Sequence, residues 1–150
     1  MSVSVQREDF DVAAEMARLA EGDQDIGAIV SFTGLVRRAS GDGPVTAMEL
    51  EHYPGMTERA IEEIVAGARA RWPLQAVRVI HRYGSLKPGD RIVLVLTASR
   101  HRQAAFEAAE FLMDYLKTRA PFWKKEESAG GARWVDARET DDTAARRWER

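Results

Sequence analysis

The segment from Ile92 to Thr118, IVLVLTASRHRQAAFEAAEFLMDYLKT, decides the fold because it joins a buried strand to a long helix. Ile92–Ala98 is almost continuously apolar, which predicts a central strand that is covered on both faces. From about Arg100 to Thr118 the apolar residues recur at helical spacing, and Pro121 ends that pattern. The strand and the helix together form the predicted centre of the domain.

Outward from this centre, short apolar alternations and capping residues predict the other elements. Gly34 is expected at a bulge or at a close approach between strands. The predicted elements are strands at 3–5, 26–36, 46–53 and 77–83, helices that begin after Asp11 and Thr57, a loop at 39–44, a turn at 87–90, and a hairpin within 121–137.

The resulting order, β-α-β-β-α-β-β-α-β-β, predicts an α+β class with a two-layer architecture rather than a doubly wound sheet. Neither an internal repeat nor a linker interrupts the chain, so residues 1–150 are interpreted as a single domain. Residues 136–150 form a polar C-terminal tail with one Trp, and we expect this tail to be loosely held.

Composition excludes several classes of function. The 150 residues carry a net charge of −2, so no global positive field attracts nucleic acid. The chain has no cysteine, which excludes disulfides, thiolate metal sites and a cysteine nucleophile. Three widely spaced histidines make a metal site unexpected. Neither a signal peptide nor an apolar run of roughly 20 residues is present, which predicts a soluble, cytoplasmic protein.

Ser99-Arg100-His101-Arg102 lies at the predicted start of the long helix. Cations oppose the partial positive charge of a helix N-terminus, so a bound anion would remove the conflict. Alternatively, these side chains are solvated or paired with carboxylates.

A second basic group surrounds the end of the same helix, with Lys117, then Phe122 and Trp123, then Lys124 and Lys125. A lysine near other cations and aromatic surface could act as an acid or a base. Lys117 also suits a helix C-terminus without any function, and the other two lysines suit a strand surface. Aromatic residues among cations would equally suit a small RNA- or nucleotide-binding module.

Two further groups give weaker signals. Gly34 followed by Arg37 and Arg38 at the end of a strand could bind phosphate. Glu49 and Glu51 share a strand face that is more typical of solvated sheet surface, whereas His52 lies on the opposite face with apolar neighbours. We interpret His52 as a core histidine.

Four motifs resemble one known family, the large, catalytic subunit of molybdopterin synthase. They are FTGLVR at 32–37, LEHYPGMTE at 50–58, SRHR at 99–102 and, above all, MDYLKTRAPFWKKE at 113–126. The similarity extends from about Ile26 to Ala137.

The resemblance implies an enzyme of molybdenum cofactor biosynthesis, a sulfurtransferase that converts cyclic pyranopterin monophosphate to the dithiolene molybdopterin. The sulfur donor would be the thiocarboxylated C-terminal Gly-Gly of a small ubiquitin-like subunit. The implied assembly is a homodimer of large subunits within a heterotetramer, without a metal or other cofactor, a nucleic acid or a membrane. The implied fold is an α/β hammerhead with an added small β subdomain.

The resemblance also assigns residues. Lys117 and Lys124 match the catalytic lysines. Position 35 is Leu where relatives can carry Lys, so a side-chain charge is absent there, although a backbone contact remains possible. The implied substrate-binding residues are Phe32, Leu35, Val36, Arg37, His101, Arg102, Lys125, Glu126 and Arg138. A non-catalytic scaffold that only docks the small subunit remains an alternative interpretation.

The spacing of two of these residues carries a prediction about assembly. Arg102 and Lys117 lie near opposite ends of one predicted helix, on the order of 22 Å apart at about 1.5 Å per residue. A pterin monophosphate is too small to bridge that distance. Either one of these residues is not in the site, or the helix is broken, or His101 and Arg102 reach the site from a second chain. The Ala-rich sequence without Gly or Pro disfavours a break, and we expect a second chain.

Overall fold

The computed structural model describes residues 2–40, 43–128, 131–135 and 139–149, and for 39–46 and 123–142 it describes only the backbone. Strand β7 (Arg91–Ser99) lies inside a four-stranded sheet of order β1-β5-β7-β2. The other members are β1 (Val3–Gln6), β2 (Ala28–Leu35) and β5 (Ala76–Arg82). β1 pairs with β5 in parallel and the other pairs are antiparallel, so this larger sheet is mixed.

Helices cover both faces of the larger sheet. α2 (Met56–Arg71) and α3 (Arg102–Thr118) pack on one face, where Val79 and Val95 meet Ile61 and Leu112. α1 (Val12–Ala20) covers the other face, over Leu94 and Leu96. β7 is therefore buried on both sides, as its continuous apolar run predicted.

A second sheet lies at the end of the first; it has five strands, but they are shorter on average, and it is called the smaller sheet. It contains β3 (Ala39–Ser40), β4 (Gly43–His52), β8 (Phe122–Ser128) and β9 (Gly131–Val135), and β6 (Gly84–Leu86) also pairs with β4. Its described core consists of Val36, Met48, Leu50 and Leu86. A mixed α+β fold with an additional β subdomain was the predicted class, and it is confirmed.

Several local predictions hold at the level of individual bonds. The Asp11 carboxylate accepts a hydrogen bond from the Ala14 amide at 3.1 Å and caps α1. The register of β2 against β7 shifts between Gly34 and Leu35, and a Cβ on Gly34 would lie 2.6 Å from Val93 Cγ1. Gly34 is thus both the bulge and the close approach that the sequence indicated.

The prediction that Thr57 caps α2 was wrong. The helix begins at Met56, and Thr57 lies within it, fully buried. The Glu58 carboxylate accepts the Gly55 amide instead, at 3.2 Å. The Thr57 hydroxyl donates to the Pro121 carbonyl at 2.9 Å and so joins α2 to the segment that follows α3.

The loop predicted at 39–44 was also wrong in part, because β3 and β4 extend into it as a short antiparallel ladder. The tail is not loosely held where the structure describes it. α4 (Glu139–Arg146) and the following 3-10 turn (Arg147–Glu149) pack on α3, and Trp148 meets the rings of Trp72 and Phe111. Among the described helices, none combines the length and apolar character needed to cross a bilayer.

Candidate active site

Lys117 lies in the last turn of α3, and its side chain is exposed. α3 folds back along β7, so its first turn lies near Thr97, whose hydroxyl donates to the Ala105 carbonyl at 2.7 Å. Its last turn lies near Ile92, which packs against the cluster that contains Leu116. Lys117 therefore lies at the end of the larger sheet where β7 begins.

Arg37 lies at this same end. β2 pairs with β7 from Ala28 opposite Ser99 to Leu35 opposite Arg91. The Val36 amide then donates to the Asp90 carbonyl at 2.9 Å, and the Val36 carbonyl accepts the Gly89 amide at 2.8 Å. These bonds hold the backbone of residue 36, whose side chain is buried. The exposed Arg37 therefore extends from a backbone position that is held in place.

Phe32 and Leu35 are the other two predicted residues on this strand. Phe32 is 40% exposed and Leu35 is 54% exposed, which is unusual for large apolar side chains on a sheet edge. Their neighbour across the ladder is β7 alone, since β2 is the edge strand of the larger sheet. The exposed side chains of Phe32, Leu35 and Arg37 thus follow one another along β2 and the residues just after it.

The backbone of Lys124 enters the same region from the smaller sheet. β8 begins at Phe122, and its register places residue 124 opposite Leu50 of β4 and residue 125 opposite Glu49. Five positions separate Lys117 from Phe122, and two more lead to Lys124. The chain therefore returns past the end of α3 directly into the strand that carries Lys124, Lys125 and Glu126.

His101 and Arg102 lie elsewhere. His101 is the N-terminal cap residue of α3, Arg102 is its first residue, and both side chains are exposed. No side chain caps this helix end, and no acidic residue lies in its first turn, while Arg100 approaches Asp25 at 4.0 Å. The exposed His101 and Arg102 therefore lie where an anion could contact them, but at the opposite end of α3 from Lys117.

One chain thus places Arg37, Lys117 and the start of β8 at the same end of the larger sheet, and the length of α3 separates Lys117 from His101 and Arg102. Arg138 lies outside the described residues. Within the described part of the chain, no group of three or more His, Asp or Glu side chains is placed to hold a metal ion.

His81 is a neighbour of Lys117 that the sequence analysis assigned no role. Its ring stacks on Phe122 with centroids 3.9 Å apart and an interplanar angle of 21°. Burial lowers the pKa of His81 to about 4, and the positive charge of Lys117 acts in the same direction, against the hydrogen bond to the Arg82 carbonyl. Strand alternation places His81 on the face of Val77 and Val79, but the contact with Phe122 depends on the tertiary fold.

A second ring contact lies next to the stack of His81 on Phe122. His52 of β4 is paired with Phe122 in the register of the smaller sheet, and its ring lies 4.0 Å from that of Tyr83. The Arg7 guanidinium lies over the Tyr83 ring, at 4.8 Å from its centroid. His52 was predicted to be a core histidine, whereas the structure leaves it half-buried with its ring against Tyr83.

Comparisons with known proteins give one family. Residues 5–119 match the family described as MoaE protein. A molybdopterin synthase catalytic subunit from Mesorhizobium japonicum is 60% identical over 150 residues, covering 99% of this chain and 93% of the relative.

Solved structures agree with this match. A molybdopterin biosynthesis MoaE protein from Burkholderia ambifaria superposes with a TM-score of 0.86 at 53% identity, covering 99% of this chain and 98% of that one. A complex of subunits 1 and 2 of the molybdopterin-converting factor from Helicobacter pylori shares the fold, with a TM-score of 0.71 at 19% identity, covering 91% and 90% of the two chains. With a family match over most of its length and relatives above half identity, the chain belongs to the MoaE family.

Proposed function

We propose that this chain is the catalytic subunit of a molybdopterin synthase in the cytoplasm. It would transfer sulfur from the thiocarboxylated C-terminus of a small ubiquitin-like subunit to cyclic pyranopterin monophosphate. The observation that carries this proposal is the 60% identity, over nearly the whole chain, to a protein named for that activity. The convergence of Arg37, Lys117 and the start of β8 at one end of the fold supports it independently.

The charges of the site suit the two reactants. The pterin carries a phosphate and the donor carries a thiocarboxylate, so both are anions that arginine and lysine bind by charge-assisted hydrogen bonds. Arg37 offers a planar guanidinium suited to a phosphate, whereas Lys117 and Lys124 offer compact charges able to exchange a proton. We assign the two lysines as catalytic and Arg37 as a phosphate ligand.

The remaining predicted residues have supporting roles in this proposal. Phe32 and Leu35 would present apolar surface to the pterin ring, and Val36 would hold the backbone beside Arg37. Lys125, Glu126 and Arg138 would border the site, and His101 and Arg102 would complete it from a second copy of this chain. Because Arg102 lies about 22 Å from Lys117 along α3, a single chain does not supply both to one small substrate.

The proposed assembly follows from these requirements. A chain without cysteine does not carry transferable sulfur as its own persulfide, so a donor protein is needed. The Helicobacter structure, a complex of two subunits, supports such a partner. A two-fold dimer of catalytic subunits would create two equivalent sites, with a small subunit at each, which gives a heterotetramer.

The test is reconstitution from purified parts. The protein is incubated with cyclic pyranopterin monophosphate and a small subunit that ends in a thiocarboxylate, and the dithiolene product is measured. The control is the same small subunit with an ordinary carboxylate. We expect product only with the thiocarboxylate, and two small subunits consumed per dithiolene because each carries one sulfur. Equal product with both donors, or none with either, would contradict the proposal.

A further inference from the structure

The His81 ring connects the two sheets beside Lys117. His81 belongs to β5 of the larger sheet, and its stacking partner Phe122 is the first residue of β8 in the smaller sheet. Phe122 packs against the described apolar clusters of both sheets, next to Ile92. The stack therefore lies where the two sheets meet.

The protonation state of this ring is fixed by its contacts. The Nδ1 atom of His81 lies 2.9 Å from the Arg82 carbonyl, and a carbonyl oxygen only accepts, so Nδ1 carries the hydrogen. Burial holds the pKa near 4, which leaves the ring uncharged at neutral pH. An uncharged ring packs against Phe122 without adding a second positive charge beside Lys117.

The link between the two proposed catalytic lysines is held at its end by this stack. Residues 118–123 separate Lys117 from Lys124. Within that link the Pro121 carbonyl accepts from the Thr57 hydroxyl at 2.9 Å, and the Phe122 amide donates to the Ala120 carbonyl at 3.0 Å. Thr57 thus fixes the turn, and His81 fixes the ring with which β8 begins.

We propose that His81 is a positioning residue for sulfur transfer, which sets the spacing between Lys117 and Lys124 by stacking its ring on Phe122. It touches neither reactant and exchanges no proton in the reaction. The inference rests on the proposed function, since it names what aligns the two lysines of that site. Its physical basis is that small displacements of catalytic groups reduce turnover far more than they reduce stability.

The experiment compares His81→Ala with His81→Phe in the reconstituted complex. Removing the ring should lower kcat by about tenfold or more while the KM for the pterin changes little, because a displacement of ~1 Å can cost on the order of 10²-fold. His81→Phe keeps an uncharged ring and should restore kcat to within about threefold of the parent, a threefold change being under 1 kcal/mol of barrier. A phenyl ring that performs no better than alanine, or an alanine variant with unchanged kcat, would overturn the proposal.

Two further measurements separate positioning from loss of fold and from failure of the proposed function. Amide hydrogen exchange should quicken at 120–124 in His81→Ala but remain unchanged in α1, on the other face of the sheet. Phe122→Leu should reproduce the kcat loss, and the double variant should be no worse than the worse single variant. If the parent protein makes no dithiolene but exchange responds in this way, the proposed function fails and with it the role in sulfur transfer, whereas the seating of Phe122 by His81 stands. Additive losses with unchanged exchange would overturn the positioning role alone.

Discussion

Arg102 and Lys117 lie in the first and the last turn of one unbroken helix, so one chain holds them at opposite ends of its larger sheet. The alanine-rich sequence between them contains no Gly or Pro, which explains why the helix continues without a kink. At about 1.5 Å per residue the separation is on the order of 22 Å. A site that uses both residues on one small substrate therefore needs two chains.

The two lysines that flank the α3–β8 link should be far more sensitive than their neighbour. Lys117→Ala and Lys124→Ala should each lower turnover by on the order of 10²-fold or more, because proton transfer and charge stabilisation are lost. Lys125→Ala should be milder, since successive residues of a strand project to opposite faces. Dithiolene formation and thermal unfolding of the three variants provide the measurement.

Equal losses in all three lysine variants, or a collapse in melting temperature, would count against this assignment. A non-catalytic scaffold makes a different prediction, namely that Lys117→Ala leaves product formation intact. Lys87→Ala, in the turn that follows β6, is a control that removes an exposed lysine to which no catalytic role is assigned.

The neutral ring of His81 should make stability depend on pH. Its pKa is about 4 in the folded chain and near 6.5 when unfolded, so between these values only the unfolded state binds the proton. Stability should therefore fall as pH decreases from 6.5 to 4, by about 2 to 3 kcal/mol from this group. Denaturant unfolding of the parent and of His81→Phe across this range isolates the contribution.

The phenylalanine variant lacks a titrating ring, so its stability should decline less steeply with acid. Parallel pH profiles for the two proteins would contradict the neutral state of His81. In the parent, Lys117→Ala should raise the pKa of His81, measured by NMR titration, because the nearby positive charge is removed.

The donor's C-terminus should end near the same two lysines. Only glycine lets a backbone pass a tight constriction without a Cβ, so a Gly-Gly tail suits a narrow approach to the site. Activation of the small subunit's terminal carboxylate should crosslink it to Lys117 or Lys124, identified by peptide mass spectrometry. Crosslinks confined to the far side of the chain, around Val3 or Glu62, would rule out this docking direction.

Trp148 should stabilise the fold without contributing to the reaction. Its indole NH donates to the Asp114 carboxylate at 2.6 Å, and its ring meets Trp72 and Phe111. Trp148→Ala should cost about 2 to 4 kcal/mol of unfolding free energy, since a packed aromatic side chain is lost. Arg146→Ala, an exposed neighbour, is the control and should be nearly neutral. A Trp148→Ala protein as stable as this control would contradict the packing of the tail.

Much of the fold could be predicted because its signals are local. The apolar run of β7, the periodicity of α3 and the Asp11 cap depend on residues near one another in sequence. Gly34 could be identified because a close approach excludes a side chain. The strands β3 and β6 are too short to show a period, and so they were missed.

The wrong predictions concern positions whose local structure is decided by residues that are distant in sequence. Thr57 is a good capping residue in isolation, but the carbonyl of Pro121, sixty-four positions away, takes its hydroxyl instead. The polar tail is held in place because Trp148 packs against Trp72, which follows α2, and against Phe111 of α3. The role proposed for His81 could not be foreseen, since Phe122 reaches it only after both sheets have formed.

The most direct test of the shared active site is to mix two inactive variants, Arg102→Ala and Lys117→Ala, under conditions that exchange catalytic subunits. In a mixed dimer one pocket would carry both lesions and the other would be intact, so dithiolene formation should reappear, approaching about a quarter of the parent rate per site after random exchange. Each variant alone, treated identically, should remain inactive. Continued inactivity of the mixture, with exchange verified by native mass spectrometry, would show that every site is built within one chain and would contradict the account.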